Sequence, residues 1–168
     1  ALSWHGRVRG LGVSAGAAHV VGSAPGRLLV WEGGAGRLRQ RLETGGVLAP
    51  RFALLAGGRL VAVTHADAAV WDMDSGRRLV SLDRVWGEGA IHLAASPCGR
   101  IVAACGTPLL YASALNREDT AAWLAVWDTA TGRSLHATQA ADDDLWHFHW
   151  PCSVAVGPMA SMAEVLLG

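Results

Sequence analysis

The sequence predicts an all-β fold built from repeated four-stranded antiparallel units. Three observations lead there. A short motif recurs three times: Trp31-Glu32 opens W-E-G-G-A-G-R-L, Trp71-Asp72 opens W-D-M-D-S-G-R-R-L, and Trp127-Asp128 opens W-D-T-A-T-G-R-S-L. An apolar run precedes each copy: Leu28-Leu29-Val30, Ala68-Ala69-Val70 and Leu124-Ala125-Val126. The composition is 51% hydrophobic and only 17% charged, with 21 glycines, which suits many short strands joined by tight turns.

The interval from Trp31 to Trp71 is 71 − 31 = 40 residues, and that from Trp71 to Trp127 is 127 − 71 = 56. The first matches one four-stranded propeller blade of roughly 40–45 residues; the second is a blade carrying an insertion. Within each copy the apolar run and its Trp read as a buried strand. The acid beside the Trp opens a turn, and Gly36, Gly76 and Gly132 can take the positive φ that reverses the chain. Leu38 to Leu42, Arg78 to Leu82 and Ser134 to Thr138 then alternate as half-exposed outer strands. Upstream, Val8 to Ser14, Phe52 to Leu55 and Ala90 to Ser96 are candidate inner strands. Turns at Ala15-Gly16, Gly57-Gly58 and Pro97-Cys98-Gly99 lead into second strands at His19 to Gly22, Leu60 to Thr64 and Ile101 to Cys105. The expected organisation is one propeller domain: blades at 1–46, 47–86 and 87–140, the last with an insertion at 107–123, and the start of a further blade at 141–168. In that last part Trp146 to Trp150 and Ser153 to Val156 are strand material, and the tail from Met159 reads as helix or, over Glu164 to Leu167, as strand.

On these residues, over about positions 5–140, the chain resembles the WD-repeat family of β-propellers. The S-P-C-G turn at Ser96 to Gly99 is similar to that family's S-P-D-G. The resemblance implies a side-chain network of Asp, His, Ser or Thr, and Trp, for which Asp67, Thr64 and Trp71 stand in the second unit. It departs at Glu32, where the family has Asp, and in the missing Gly-His of the second and third units. Propellers close with about 4–8 blades. Three and a half to four blades therefore imply an incomplete ring, filled by other sequence or another chain. The absence of an initiator Met likewise leads us to expect a piece of a longer protein.

The resemblance implies a non-catalytic protein–protein interaction scaffold within a multi-subunit assembly, working through its loop face. The insertion carries the candidate partner contacts Tyr111, Asn116, Arg117, Glu118 and Trp123, of residue types that interface cores favour; a tolerated surface loop is the competing reading. Trp31, Gly36, Trp71, Asp72, Gly76, Trp127, Asp128 and Gly132 are expected to be structural. A second functional reading comes from D-M-D-S-G-R and D-T-A-T-G-R, which resemble the turn of quinone-cofactor dehydrogenase propellers; there a Trp follows the turn, whereas Leu82 and Thr138 occupy those positions here. A purely architectural subunit is the third.

No catalytic motif is present: there is no G-x-S-x-G, Walker loop or H-E-x-x-H. No catalytic residue, cofactor or metal is expected. His147 and His149 with Cys152 and Asp142 to Asp144 have ligand types without the paired spacing of zinc sites, and read as surface residues. All 14 basic residues are Arg and balance 14 acids. No basic run is long enough for nucleic acid, and Arg37, Arg39 and Arg41 fit a solvated strand face. Three cysteines, Cys98, Cys105 and Cys152, argue against a disulfide scaffold. With no apolar run of about 20 residues, no membrane partner and an intracellular, cytoplasmic location are expected.

Overall fold

A computed structural model of the chain describes residues 6–64, 67–84, 90–106, 123–139, 154–156 and 165–167. Blade 1 comprises β1 (Gly10–Val13), β2 (His19–Ala24), β3 (Arg27–Glu32) and β4 (Leu38–Glu43). Blade 2 comprises β5 (Arg51–Leu55), β6 (Arg59–Val63), β7 (Ala68–Asp72) and β8 (Arg78–Ser81); blade 3 comprises β9 (Ala90–Ala95), β10 (Ile101–Gly106), β11 (Trp123–Asp128) and β12 (Ser134–Gln139). Each is an antiparallel sheet in sequence order. β13 (Val154–Val156) and β14 (Val165–Leu167) form a two-stranded antiparallel sheet. The tail is thus strand over 165–167; Trp146 to Trp150 lie outside the described residues. The inner strands β1, β5, β9 and β13 succeed one another as neighbours, the stacking order of propeller-like blades.

The first expected strand is shorter than its sequence run: Val8, Arg9 and Ser14 fall outside β1, although Arg9 N–H donates to Ser23 O at 2.8 Å. The motif turns repeat closely. In each, the N–H of Gly36, Gly76 or Gly132 donates to the carbonyl of Glu32, Asp72 or Asp128, at 2.7, 3.0 and 2.8 Å. The three glycines have φ of 66°, 70° and 77°. Each third strand shifts register at the same place, before its Trp, so that Trp31 faces Leu38, Trp71 faces Arg78 and Trp127 faces Ser134. A bulge there sharpens the twist into the outer strand.

The core lies between sheets. Val21, Leu28, Val30 and Leu42 of blade 1 pack with Leu60, Ala62 and Met73 of blade 2. Val61, Val63, Val70 and Leu82 of blade 2 pack with Val102, Ala104, Trp123, Ala125 and Trp127 of blade 3. Trp31 and Trp127 are buried, whereas Trp71 is only half-buried. Among the described residues the side-chain network expected in blade 2 does not form as such. Thr64 Oγ1 donates to Asp67 O at 3.0 Å and accepts from Asp67 N–H at 2.9 Å, while the Asp67 carboxylate turns outward to Arg78 at 2.7 Å.

Candidate partner-binding face

A four-stranded blade places its connections at two ends. At one end lie the turns after the inner and third strands; at the other lie the connections between second and third strands and the links between blades. The turn end is held by local capping. Asp72 Oδ1 accepts from Ser75 N–H at 2.7 Å and from the Ser75 hydroxyl, which holds the Asp72 carboxyl below its ordinary range. Burial pushes the Asp128 carboxyl up, but the Ala130 N–H at 2.8 Å and Arg100 at 3.2 Å bring it below its ordinary value. Glu32, one methylene longer, reaches past its own turn to Arg37 at 3.4 Å. In the S-P-C-G turn the Ser96 hydroxyl caps Ile101 N–H at 3.0 Å and lies 3.3 Å from Cys98 Sγ. That contact and the Arg100 backbone lower the exposed Cys98 thiol.

The opposite end differs from blade to blade. Blade 1 closes it with Pro25-Gly26, where Gly26 (φ 71°) donates to Leu48 O at 3.1 Å and accepts from Thr44 N–H at 3.0 Å. This pins the link to blade 2 and leaves Val47 83% and Leu48 52% exposed beside it, an apolar pair not picked out from the sequence although the G-G-V-L string carries it. Blade 2 turns through the Thr64–Asp67 hydrogen bonds. In blade 3 the connection spans 107–122. Gly106 and Trp123 are direct partners across the β10–β11 ladder, so the insertion leaves and returns at one point of a formed sheet.

Of the expected contacts, Tyr111, Asn116, Arg117 and Glu118 lie outside the described residues. Trp123 is placed differently from the expectation of an interface residue: it is 3% exposed and packs in the core between blades 2 and 3, because it begins a strand whose alternate positions face blade 2. His147, His149 and Cys152 also lie outside the described residues. Among the described residues no group of three or more His, Cys, Asp and Glu is placed to hold a metal. Among them, too, no helix is long and apolar enough to cross a membrane.

No family model matches the chain, and no curated protein matches it in sequence. Solved structures do. The computationally designed Ika4 protein aligns at 22% identity over 85% of this chain and 91% of its own, with a TM-score of 0.58. The computationally designed Ika8 protein aligns at 24% identity over 76% of this chain, with a TM-score of 0.55. Hydrazine synthase of Kuenenia stuttgartiensis aligns at 14% identity over 79% of this chain, with a TM-score of 0.63. This chain spans 35% of the Ika8 chain and 37% of the hydrazine synthase chain. At these identities the likeness shows the fold alone, a β-propeller-like arrangement of four-stranded blades.

Proposed function

We propose that the chain is a WD-repeat-type propeller segment acting as a non-catalytic interaction scaffold. Its partners are other proteins, met on the face that carries the 107–122 insertion. The observation that carries this reading is the ladder pair Gly106 and Trp123. A connection of two residues in blade 1 becomes one of 122 − 107 + 1 = 16 in blade 3, mounted on a strand whose first side chain is locked in the core. Binding segments are commonly loops held by a rigid scaffold. A fixed base also lowers the ordering cost on association. Val47 and Leu48 extend the same end with exposed apolar surface.

Deleting 108–121 is the test, with pull-down from the source cell as the measurement. The scaffold reading expects the chain to keep its fold and lose its co-purifying proteins. An unchanged set of bound proteins would remove the insertion from the interface. Purification at rising salt separates a recruited partner, which washes off, from a stoichiometric architectural subunit, which does not.

A further inference from the structure

The seams between blades are built on equivalent positions but are not equally filled. Counted across the ladders from the motif Trp, Gly12 and Ser23 of blade 1 correspond to Ala53 and Val63 of blade 2. Between blades 2 and 3, Ala53 and Val63 pack with Leu93 and Ala95 in the core. Between blades 1 and 2 the opposing residues are Phe52 and Leu54, and blade 1 meets them with no side chain at Gly12 and only a hydroxymethyl at Ser23. The Phe52 ring takes up part of that space, since a Cβ on Gly12 would lie 3.0 Å from its Cε2. What remains is a slot of about 350 Å³ between β1 and β5, walled by Pro50, Phe52 and Leu54 on one side and by Gly10 and Gly12 on the other.

Ser23 supplies the hydroxyl inside it. The residue is only 4% exposed, and its Oγ lies 3.2 Å from where a Cβ on Gly10 would stand. That hydroxyl has no hydrogen-bond partner among the described residues. Leaving a buried hydroxyl unpaired is costly, and Val63 shows that an apolar residue serves the fold at the equivalent position. Ser23 is therefore explained by what enters the slot rather than by packing. The edge of β1 adds donors. Ser14 N–H donates to His19 O at 3.0 Å. The alternation of an antiparallel ladder then turns the N–H groups of Leu11 and Val13, which also line the slot, away from β2. No carboxylate lines the slot. Arg51 borders it, but as the neighbour of Phe52 along β5 its side chain leaves on the opposite face.

We infer that this slot binds a small neutral aromatic molecule carrying one hydrogen-bonding oxygen, of the size of a phenol. The ring would stack on Phe52, and the oxygen would meet the Ser23 hydroxyl, which can donate or accept. Small-molecule sites are mostly apolar with a few placed polar groups, and occupy about 300–1,000 Å³. A charged group would be desolvated here without a counter-charge. Every lining residue belongs to blades 1 and 2, so the site is independent of the role proposed for 107–122.

The probe is phenol, titrated into the full chain and followed by amide chemical shifts. We expect saturable shifts at millimolar phenol, centred on Gly12, Ser23 and Phe52, and none at Leu93, the counterpart of Phe52 in the next seam. Toluene, which lacks the oxygen, should bind at least tenfold more weakly, and benzoate should not compete. Ser23→Ala should bring phenol down to the affinity of toluene. Ser23→Val, which installs the side chain that blade 2 carries there, should keep the fold and abolish binding of both. Absence of saturation would mean that the slot holds water only, and would overturn the proposal. So would shifts centred on the exposed Val47 and Leu48, benzoate binding more tightly than phenol, or unchanged phenol affinity in Ser23→Ala. The chain lacking 108–121 should bind phenol normally, so loss of cellular partners and loss of the small ligand are separate results.

Discussion

The two seams share an address and differ in chemistry. Between blades 1 and 2 the clamp is made of side chains. Asp74, three residues after the motif Trp, takes His19 Nε2 at 2.9 Å and Arg39 at 3.3 Å on one carboxylate oxygen, and Gln40 holds its carbonyl. Between blades 2 and 3 every contact of the clamp has a main-chain group on at least one side. Asp83 N–H meets Gly132 O, the Trp127 indole meets Asp83 O, and the Asp83 carboxylate accepts from Ser134 N–H at 3.0 Å. The third residue after Trp127 is Ala130, with no carboxylate to offer, and the turn fits closer to its neighbour instead. A repeat motif can therefore fix where blades meet while leaving open what holds them. Polar side chains tolerate drift between sheets; main-chain contacts across a buried Gly do not.

The largest expected effect sharpens this contrast. A Cβ on Gly132 would run into the carbonyl oxygen of Ser81 and lie 2.8 Å from a methyl of Val80, at φ 77°. Positive φ costs a non-Gly residue about 1–2 kcal/mol and overpacking about 1–3 kcal/mol, so Gly132→Ala should cost roughly 3 kcal/mol or more by urea unfolding. At Gly76 the nearest atom is Gln40 Oε1 at 2.9 Å, the end of a movable side chain. Gly76→Ala should therefore cost only the backbone part, about 1–2 kcal/mol. Equal losses would break the distinction between the two seams.

The motif tryptophans give the next test. Trp127 Nε1 is bonded, whereas the buried Trp31 Nε1 meets no acceptor among the described residues. Trp127→Phe strands the Asp83 carbonyl and should cost about 2–3 kcal/mol. Trp31→Phe removes a donor that is costly to leave unmade, by about 1–3 kcal/mol, which offsets the lost ring volume. We expect its urea midpoint to move distinctly less than that of Trp127→Phe. A smaller change follows at Asp74. Its side chain is 53% exposed, so Asp74→Asn should cost under about 1 kcal/mol after solvent screening. That loss should shrink further in high salt, while the seam between blades 2 and 3 is unaffected.

Much of the fold was legible in the sequence because its turns are chemically explicit. Apolar run, Trp, acid and Gly each have one local job, and all twelve strands of blades 1–3 fall within a few residues of their expected places. The contacts between blades were not legible, since they join residues far apart in the chain: His19 meets Asp74, and Asp83 meets Gly132 and Ser134. Asp67 shows the limit of reading a family network one residue at a time. The residue is at the expected position, but Arg78 competes for its carboxylate from the adjacent outer strand. Trp123 shows the same limit at the candidate site. As the last residue of an insertion it reads as loop, yet as the first residue of β11 its ring belongs to the core.

Acid should reveal what the motif carboxylates contribute inside their own turns, apart from either seam. The folded carboxyls of Asp72 and Asp128 sit below their ordinary values. An unfolded Asp titrates near about 3.9, so between the folded and unfolded values the unfolded chain binds more protons. Stability then rises with pH in that window: it is fully present above the unfolded value and lost as pH falls through the folded one. Asp72→Asn and Asp128→Asn keep an oxygen that can cap the turn but remove the titration. Each variant should lose little at pH 7 and should flatten the fall in urea midpoint between about pH 5 and pH 2. Asp128→Asn should show the greater loss at pH 7, because its carboxylate also holds Arg100, whose carbonyl accepts from Thr129 N–H at 2.8 Å and so ties the first turn of blade 3 to its last. An acid limb as steep in both variants as in the parent chain would assign the pH dependence to other carboxylates and leave the motif acids as hydrogen-bonding caps only.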